Sequence, residues 1–92
     1  MLILLSYDVP DNRRRTRLAH ALKDFGKRVQ YSVFECRLQP KQLDQLRERV
    51  RSLISPEEDS LRIYAFCREC EGRIESLGTG EVLLEDPDVY LL

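Results

Sequence analysis

Met1-Leu-Ile-Leu-Leu-Ser-Tyr7-Asp8-Val-Pro-Asp11-Asn-Arg13-Arg-Arg15-Thr-Arg17 opens the chain and decides how the rest is read. Leu2 to Leu5 form an apolar run that can be buried on both faces, as in a central strand. The run ends at Tyr7 and Asp8, so a carboxylate sits at the carboxyl end of a buried strand. Pro10 and Asp11 stop the strand. Asp11 is placed to cap a helix whose first turns carry Arg13, Arg14, Arg15 and Arg17. An acid at a strand tip beside a basic helix suits a metal ion and a phosphate backbone. The same residues also read as a simple cap and a solvated face.

Downstream, Leu18, Ala21, Leu22 and Phe25 recur at i, i+3, i+4 and i+7 and predict a helix over 12–25. Gly26 is read as its left-handed cap, and Arg13, Arg14, Arg17 and Lys23 as its solvent face. Residues 28–38 are β-rich in composition. Their apolar positions change parity, from Val29 and Tyr31 to Phe34, Cys36 and Leu38, so a tight turn or bulge near Ser32 splits the run into two strands. The alternative is one strand buried on both faces. Pro40 fits the first turn of a second helix, and Leu43, Leu46, Val50, Leu53 and Ile54 keep one apolar face. Ser55-Pro56 ends it, and Glu57-Glu58-Asp59 is expected as an exposed turn. Residues 60–67 alternate as a strand, with Leu61, Ile63, Ala65 and Cys67 on one side. A weak strand is expected at 73–77, an extended piece at 81–84, and a turn before the apolar end at 89–92.

The order is β-α-β-β-α-β with an added strand or two. This predicts an α+β, ferredoxin-like sandwich: one antiparallel sheet with both helices on one face. Residues 1–92 form one domain, with about 1–77 as its core and 78–92 as a C-terminal strand or tail. Right-handed crossovers put the first and third strands side by side in the centre. The uncovered sheet face carries Tyr and Phe side chains and is expected to bind RNA, a ligand or a second copy of the chain.

Ninety-two residues allow only a thin core, which favours a dimer. The net charge of −1 hides an asymmetry: residues 1–53 carry twelve Lys/Arg and six Asp/Glu, whereas residues 54–92 carry three Arg and ten Asp/Glu. A basic half meets a polyanion; an acidic tail repels one or meets a basic partner. No run is long and apolar enough to span a bilayer, and the opening run lacks the flanks of a signal peptide, so a cytoplasmic protein with no membrane partner is expected. Cys36, Cys67 and Cys70 are too few for a disulfide framework. Cys67-Arg-Glu-Cys70 has the spacing of half a zinc site, with only Cys36 and His20 left to complete it. The alternative is two half-buried thiols at a strand end.

Three stretches carry a family resemblance. They are Tyr7-Asp8-Val9 followed by Asp11-x-x-Arg-Arg15-x-Arg17, then Gly26-Lys-Arg28-Val-Gln30-Tyr31-Ser32-Val33-Phe34-Glu35, and Asp59-Ser-Leu-Arg-Ile-Tyr64. Together they resemble the CRISPR-associated protein 2 family, the small partner of the CRISPR adaptation integrase. The likeness covers most of residues 1–66. It implies a ferredoxin-like homodimer packed through its open sheet faces, with the C-terminal strand exchanged between protomers. It also implies a metal-dependent endonuclease of single-stranded RNA or double-stranded DNA acting in spacer acquisition. The alternatives are a non-catalytic scaffold bridging integrase dimers on DNA, and a plain ferredoxin-like nucleic-acid-binding module. Tyr64 and Phe66 lack the basic, glycine-containing motif that RNA-recognition modules carry. By the resemblance, Asp8 is the metal-binding aspartate, with Tyr7 catalytic beside it and Arg15, Arg17, Arg28 and Phe34 meeting the nucleic acid.

The chemistry of these residue types sharpens that expectation. Mg²⁺, or Mn²⁺ in its place, wants oxygen ligands, and one carboxylate per chain is too few. A two-fold dimer supplies two copies of Asp8, and substrate phosphates can add oxygens. Arginines neutralise phosphates and do not activate water. Tyr7 and Phe34 read either as stacking residues or as core, and His20 as a surface residue.

Overall fold

A computed structural model describes residues 1–78 and two short strands beyond them. The elements are β1 (Leu2–Asp8), α1 (Asn12–Leu22), β2 (Lys27–Gln30), β3 (Val33–Arg37), α2 (Pro40–Leu53), β4 (Ser60–Phe66), α3 (Arg68–Glu71), β5 (Val82–Leu83) and β6 (Tyr90–Leu91). The main sheet has the order β2-β3-β1-β4, with β1 antiparallel to both neighbours. This is the ferredoxin-like arrangement, and β1 and β3 are its central strands. β5 pairs antiparallel with β6. The expected exchange of residues 78–92 with a partner otherwise lies outside the described residues.

Strand alternation divides β1 between the two faces of the sheet. Ile3, Leu5 and Tyr7 join Phe34 and Cys36 of β3, Leu18 and Leu22 of α1, and Leu43, Leu46 and Val50 of α2 in one buried cluster. Leu4, Ser6 and Asp8 point to the other face. Register places Leu4 between Glu35 and Tyr64, and Ser6 between Val33 and Arg62. A fully buried Leu or Phe contributes about 1.5–3 kcal/mol, so the helix-covered face supplies the apolar stabilisation.

The β2–β3 run is split as its parity predicts. A bulge lies between Arg28 and Gln30, and Tyr31-Ser32 make the turn. Ser32 takes the left-handed conformation, with φ 68°. Gly26 does not, and here the reading of a left-handed cap is corrected. A Cβ at Gly26 would lie 2.2 Å from the Glu35 carbonyl oxygen and 2.8 Å from Cys36 Cα. The glycine is required because two backbones pass too closely for a side chain. α1 also ends earlier than expected, at Leu22, and Phe25 and Gly26 donate their N–H groups to the Leu22 carbonyl in a closing turn.

Three further expectations change. Asp59 is buried, not exposed, because it accepts hydrogen bonds from Arg14 and from the Ser55 N–H. Arg14 therefore leaves the solvated face assigned to it. Residues 73–77 form no strand: Arg73 and Ile74 donate their N–H groups to the Cys70 and Glu71 carbonyls, closing the turn after α3.

Candidate active site

Asp8 ends β1 opposite Ser60, the first residue of β4, and its side chain is exposed. Among the described residues no hydrogen bond or ion pair engages its carboxylate. The surrounding chain, by contrast, is held tightly. Asp11 caps α1 by accepting the Arg14 N–H at 2.8 Å. Arg15 turns its guanidinium back onto the loop after Asp8, donating to the Val9 carbonyl at 2.9 Å and the Pro10 carbonyl at 3.3 Å, and also to the Asn12 side chain. Those carbonyls belong to a strand-to-helix loop with no ladder partners, so a forked donor is what the loop needs.

Arg14 secures the other side of the site. Its Nε and Nη2 donate to Asp59 at 2.9 and 3.1 Å, and Nη2 also donates to Glu58 at 2.8 Å. Hydrogen bonding from the Arg14 side chain, reinforced by the Ser55 N–H, holds the Asp59 carboxyl below the usual carboxylate range despite its desolvation. Asp59 immediately precedes Ser60, so this pair fixes the strand end that faces Asp8.

The other expected site residues divide by location. Tyr7 lies on the opposite face of β1 from Asp8, because neighbouring residues in a strand alternate. Its ring is buried, its centroid 6.4 Å from that of Phe34, and its hydroxyl is buried without a hydrogen-bond partner among the described residues. Phe34 is wholly buried in the same cluster. Arg17 is exposed on α1. Arg28 on the edge strand β2 stacks over Tyr31, its Cζ 5.3 Å from the ring centre.

Arg15 and Arg28 come together across a groove of about 410 Å³ between α1 and β2. Asn12, His20, Lys23 and Tyr31 also line it. Four basic side chains and an aromatic ring thus face one polar channel. His20 is on the surface, as expected, but its place in this channel was not; the signal is that His20 and Lys23 follow Thr16 at i+4 and i+7 on one helical face.

The open sheet face mixes apolar and charged groups. Leu4, Val33, Tyr64 and Phe66 share it with Glu35, Arg37 and Arg62, as the register requires. Burial raises the carboxyl pKa of Glu35 above its ordinary value, with Arg37 acting in the opposite sense. At the end of this face Arg37 meets Glu71 of α3 at 2.5 Å. Cys36 is fully buried on the helix side while Cys67 and Cys70 are exposed. Among the described residues no group of three or more His, Cys, Asp or Glu side chains is placed to hold a metal ion, and no helix is long and apolar enough to cross a membrane.

A four-stranded ferredoxin-like sheet with an aspartate, unengaged among the described residues, at the tip of the central strand β1 defines a class of small α+β proteins. Within it, the chain belongs to the CRISPR-associated protein Cas2 family, whose model matches residues 1–74. It is 46% identical over 89 residues to the CRISPR-associated endoribonuclease Cas2 of Thermus thermophilus, covering 96% of this chain and 95% of that one. It is 41% identical to the CRISPR-associated endoribonuclease Cas2 1 of Chloroflexus aurantiacus, over the whole of both chains. The crystal structure of Streptococcus pyogenes Cas2 superposes with a TM-score of 0.75 at 34% identity, covering 85% of this chain and 100% of that one. A chain of a partial Cas6-RT-Cas1–Cas2 complex superposes with a TM-score of 0.73 at 28% identity, covering 83% of this chain and 89% of that one.

Proposed function

We propose that the chain is a homodimeric, metal-dependent endonuclease of the CRISPR adaptation machinery, acting on single-stranded RNA or double-stranded DNA beside the integrase. The observation that carries this reading is Asp8: an exposed carboxylate at a strand tip, unengaged among the described residues, beside a loop and a strand end held by two arginines. Names of the relatives, endoribonuclease among them, support the activity.

Asp8 fits a hard cation in kind, as an accessible oxygen donor, but not in number, since Mg²⁺ needs further oxygens. The half-buried and exposed apolar groups Leu4, Val33, Tyr64 and Phe66 support pairing of two open sheet faces, and a two-fold axis near the strand tip would bring a second Asp8. A bound Mg²⁺ or Mn²⁺ would supply charge stabilisation at the scissile phosphate and a more acidic attacking water. The chain's own residues bind and orient: Arg17 and the Arg15–Arg28 groove neutralise the backbone, and Asp8 sets the reacting position.

A second reading, a scaffold that bridges integrase subunits on DNA, is favoured by one observation. Tyr7 and Phe34 are committed to the core, leaving Asp8 without a second catalytic group on its own protomer. The neighbour in a Cas1–Cas2 complex supports an integrase partner on either reading. The two readings separate in one experiment. Wild type and Asp8→Asn are assayed for Mg²⁺-dependent cleavage and for spacer integration with the integrase, with oligomeric state measured in the same samples. Loss of cleavage alone supports the nuclease with a separable scaffold role. Cleavage by neither protein, with integration by both, leaves the scaffold.

A further inference from the structure

Cys67 caps the N-terminus of α3 and Cys70 lies within that single helical turn, with their sulfurs 3.1 Å apart and both on the exposed surface. The Cys70 N–H donates to Cys67 Sγ at 3.3 Å, and Cys67 is the residue from which the turn starts. We infer that Cys67 and Cys70 are a reversible redox site, a dithiol that closes to an intramolecular disulfide by exchange with a low-molecular-weight disulfide. Neither the proposed nuclease reaction nor the scaffold role uses these thiols.

The geometry assigns the two sulfurs different tasks. The contact between the two sulfurs, and then the hydrogen bond from the Cys70 N–H, hold the Cys67 thiol below its ordinary pKa, while the same sulfur contact raises Cys70. Cys67 is therefore the attacking thiolate. Its sulfur bonds to one sulfur of the incoming disulfide, whose S–S bond breaks and releases one thiolate. Cys70, losing its proton, then attacks the Cys67 sulfur and expels the second thiolate. The two protons go to the two released thiols. The protein loses two electrons and the low-molecular-weight disulfide gains them. Closing the bond brings the sulfurs together by about 1 Å, within reach of side-chain rotation.

Cys36 is the internal control. It is wholly buried, and burial pushes its thiol up to about 11. The site also has a structural readout. α3 reaches the open sheet face through the Glu71–Arg37 ion pair, so closing its first turn stiffens an element docked beside that face.

The full-length protein is equilibrated with reduced and oxidised glutathione at a series of ratios, quenched with acid, alkylated, and mapped by peptide mass spectrometry. Wild type is expected to convert to a chain lacking two hydrogens with a Cys67–Cys70 link, and to revert on reduction. Cys70→Ser is expected to stop at a glutathione adduct on Cys67. In the reduced protein, iodoacetamide should label Cys67 at least about a hundredfold faster than Cys36. Stable glutathione adducts on both cysteines of the wild type, a link between two protomers, or a dithiol unchanged at every ratio would each overturn the inference.

Discussion

Arg14 Nε stands 2.9 Å from Asp59 Oδ2, and the Asp59 side chain has no solvent exposure. The pair joins the first turn of α1 to the residue before β4. Removing Arg14 leaves a buried carboxylate unpaired, which costs far more than an exposed pair contributes. Arg14→Gln is therefore expected to lower the thermal midpoint by about 10 °C, and Asp59→Asn by less, because the amide keeps an acceptor for Ser55. The pH dependence has a definite sign. The folded Asp59 carboxyl is depressed, so its stabilisation is present above about pH 4 and is lost as pH falls through the lower folded value. Midpoints measured from pH 7 to pH 2 should show wild type and Asp59→Asn converging in acid.

Tyr7 carries a buried hydroxyl with no partner among the described residues. An unmade hydrogen bond of this kind costs about 1–3 kcal/mol. Tyr7→Phe should leave stability unchanged or raise it by about 1 kcal/mol in urea unfolding, and should leave nucleic-acid cleavage intact. Loss of cleavage in a fully stable Tyr7→Phe protein would instead place that hydroxyl in the reaction.

Gly26→Ala tests the close approach of the α1–β2 turn to β3. The added Cβ meets backbone atoms of Glu35 and Cys36, which cannot rotate away. A loss of about 1–3 kcal/mol is expected. A neutral result would mean that the turn can retreat from β3.

Arg17 should act on binding through charge alone, whereas Arg28 also stacks on Tyr31 and Arg15 also holds the loop after Asp8. Arg17→Gln and Arg28→Gln are each expected to reduce the slope of log affinity against log salt by about 1, with the midpoint unchanged for Arg17→Gln and slightly lowered for Arg28→Gln, which loses its stacking on Tyr31. Arg15→Gln should reduce the slope and also lower the thermal midpoint. Fluorescence anisotropy on a labelled duplex at several salt concentrations, paired with thermal melts, separates the two behaviours.

Much of this molecule is legible in its residues. The Leu2–Leu5 run marks the central strand, the parity change around Ser32 marks the β2–β3 turn, and Pro40 opens α2. What stayed hidden depends on contacts distant in sequence. Gly26 looks like a helix cap until β3 is laid against it. Arg14 looks solvated, and Asp59 looks like part of an exposed acidic turn, until folding brings positions 45 residues apart into one ion pair. Tyr7 beside Asp8 suggests a shared site, yet strand alternation sends the two side chains to opposite faces. The absent strand at 73–77 failed for a local reason, since its first backbone donors close the turn after α3.

Asp8, held at the tip of β1 with its carboxylate unengaged among the described residues, is the position we propose for phosphodiester chemistry. The direct test is the rate of Mg²⁺-dependent cleavage of single-stranded RNA and of duplex DNA by purified wild type and Asp8→Asn, both verified as folded and of the same oligomeric state. A fall of about a hundredfold or more is expected for Asp8→Asn, with affinity for uncleaved substrate preserved. Cleavage undiminished in Asp8→Asn would contradict it.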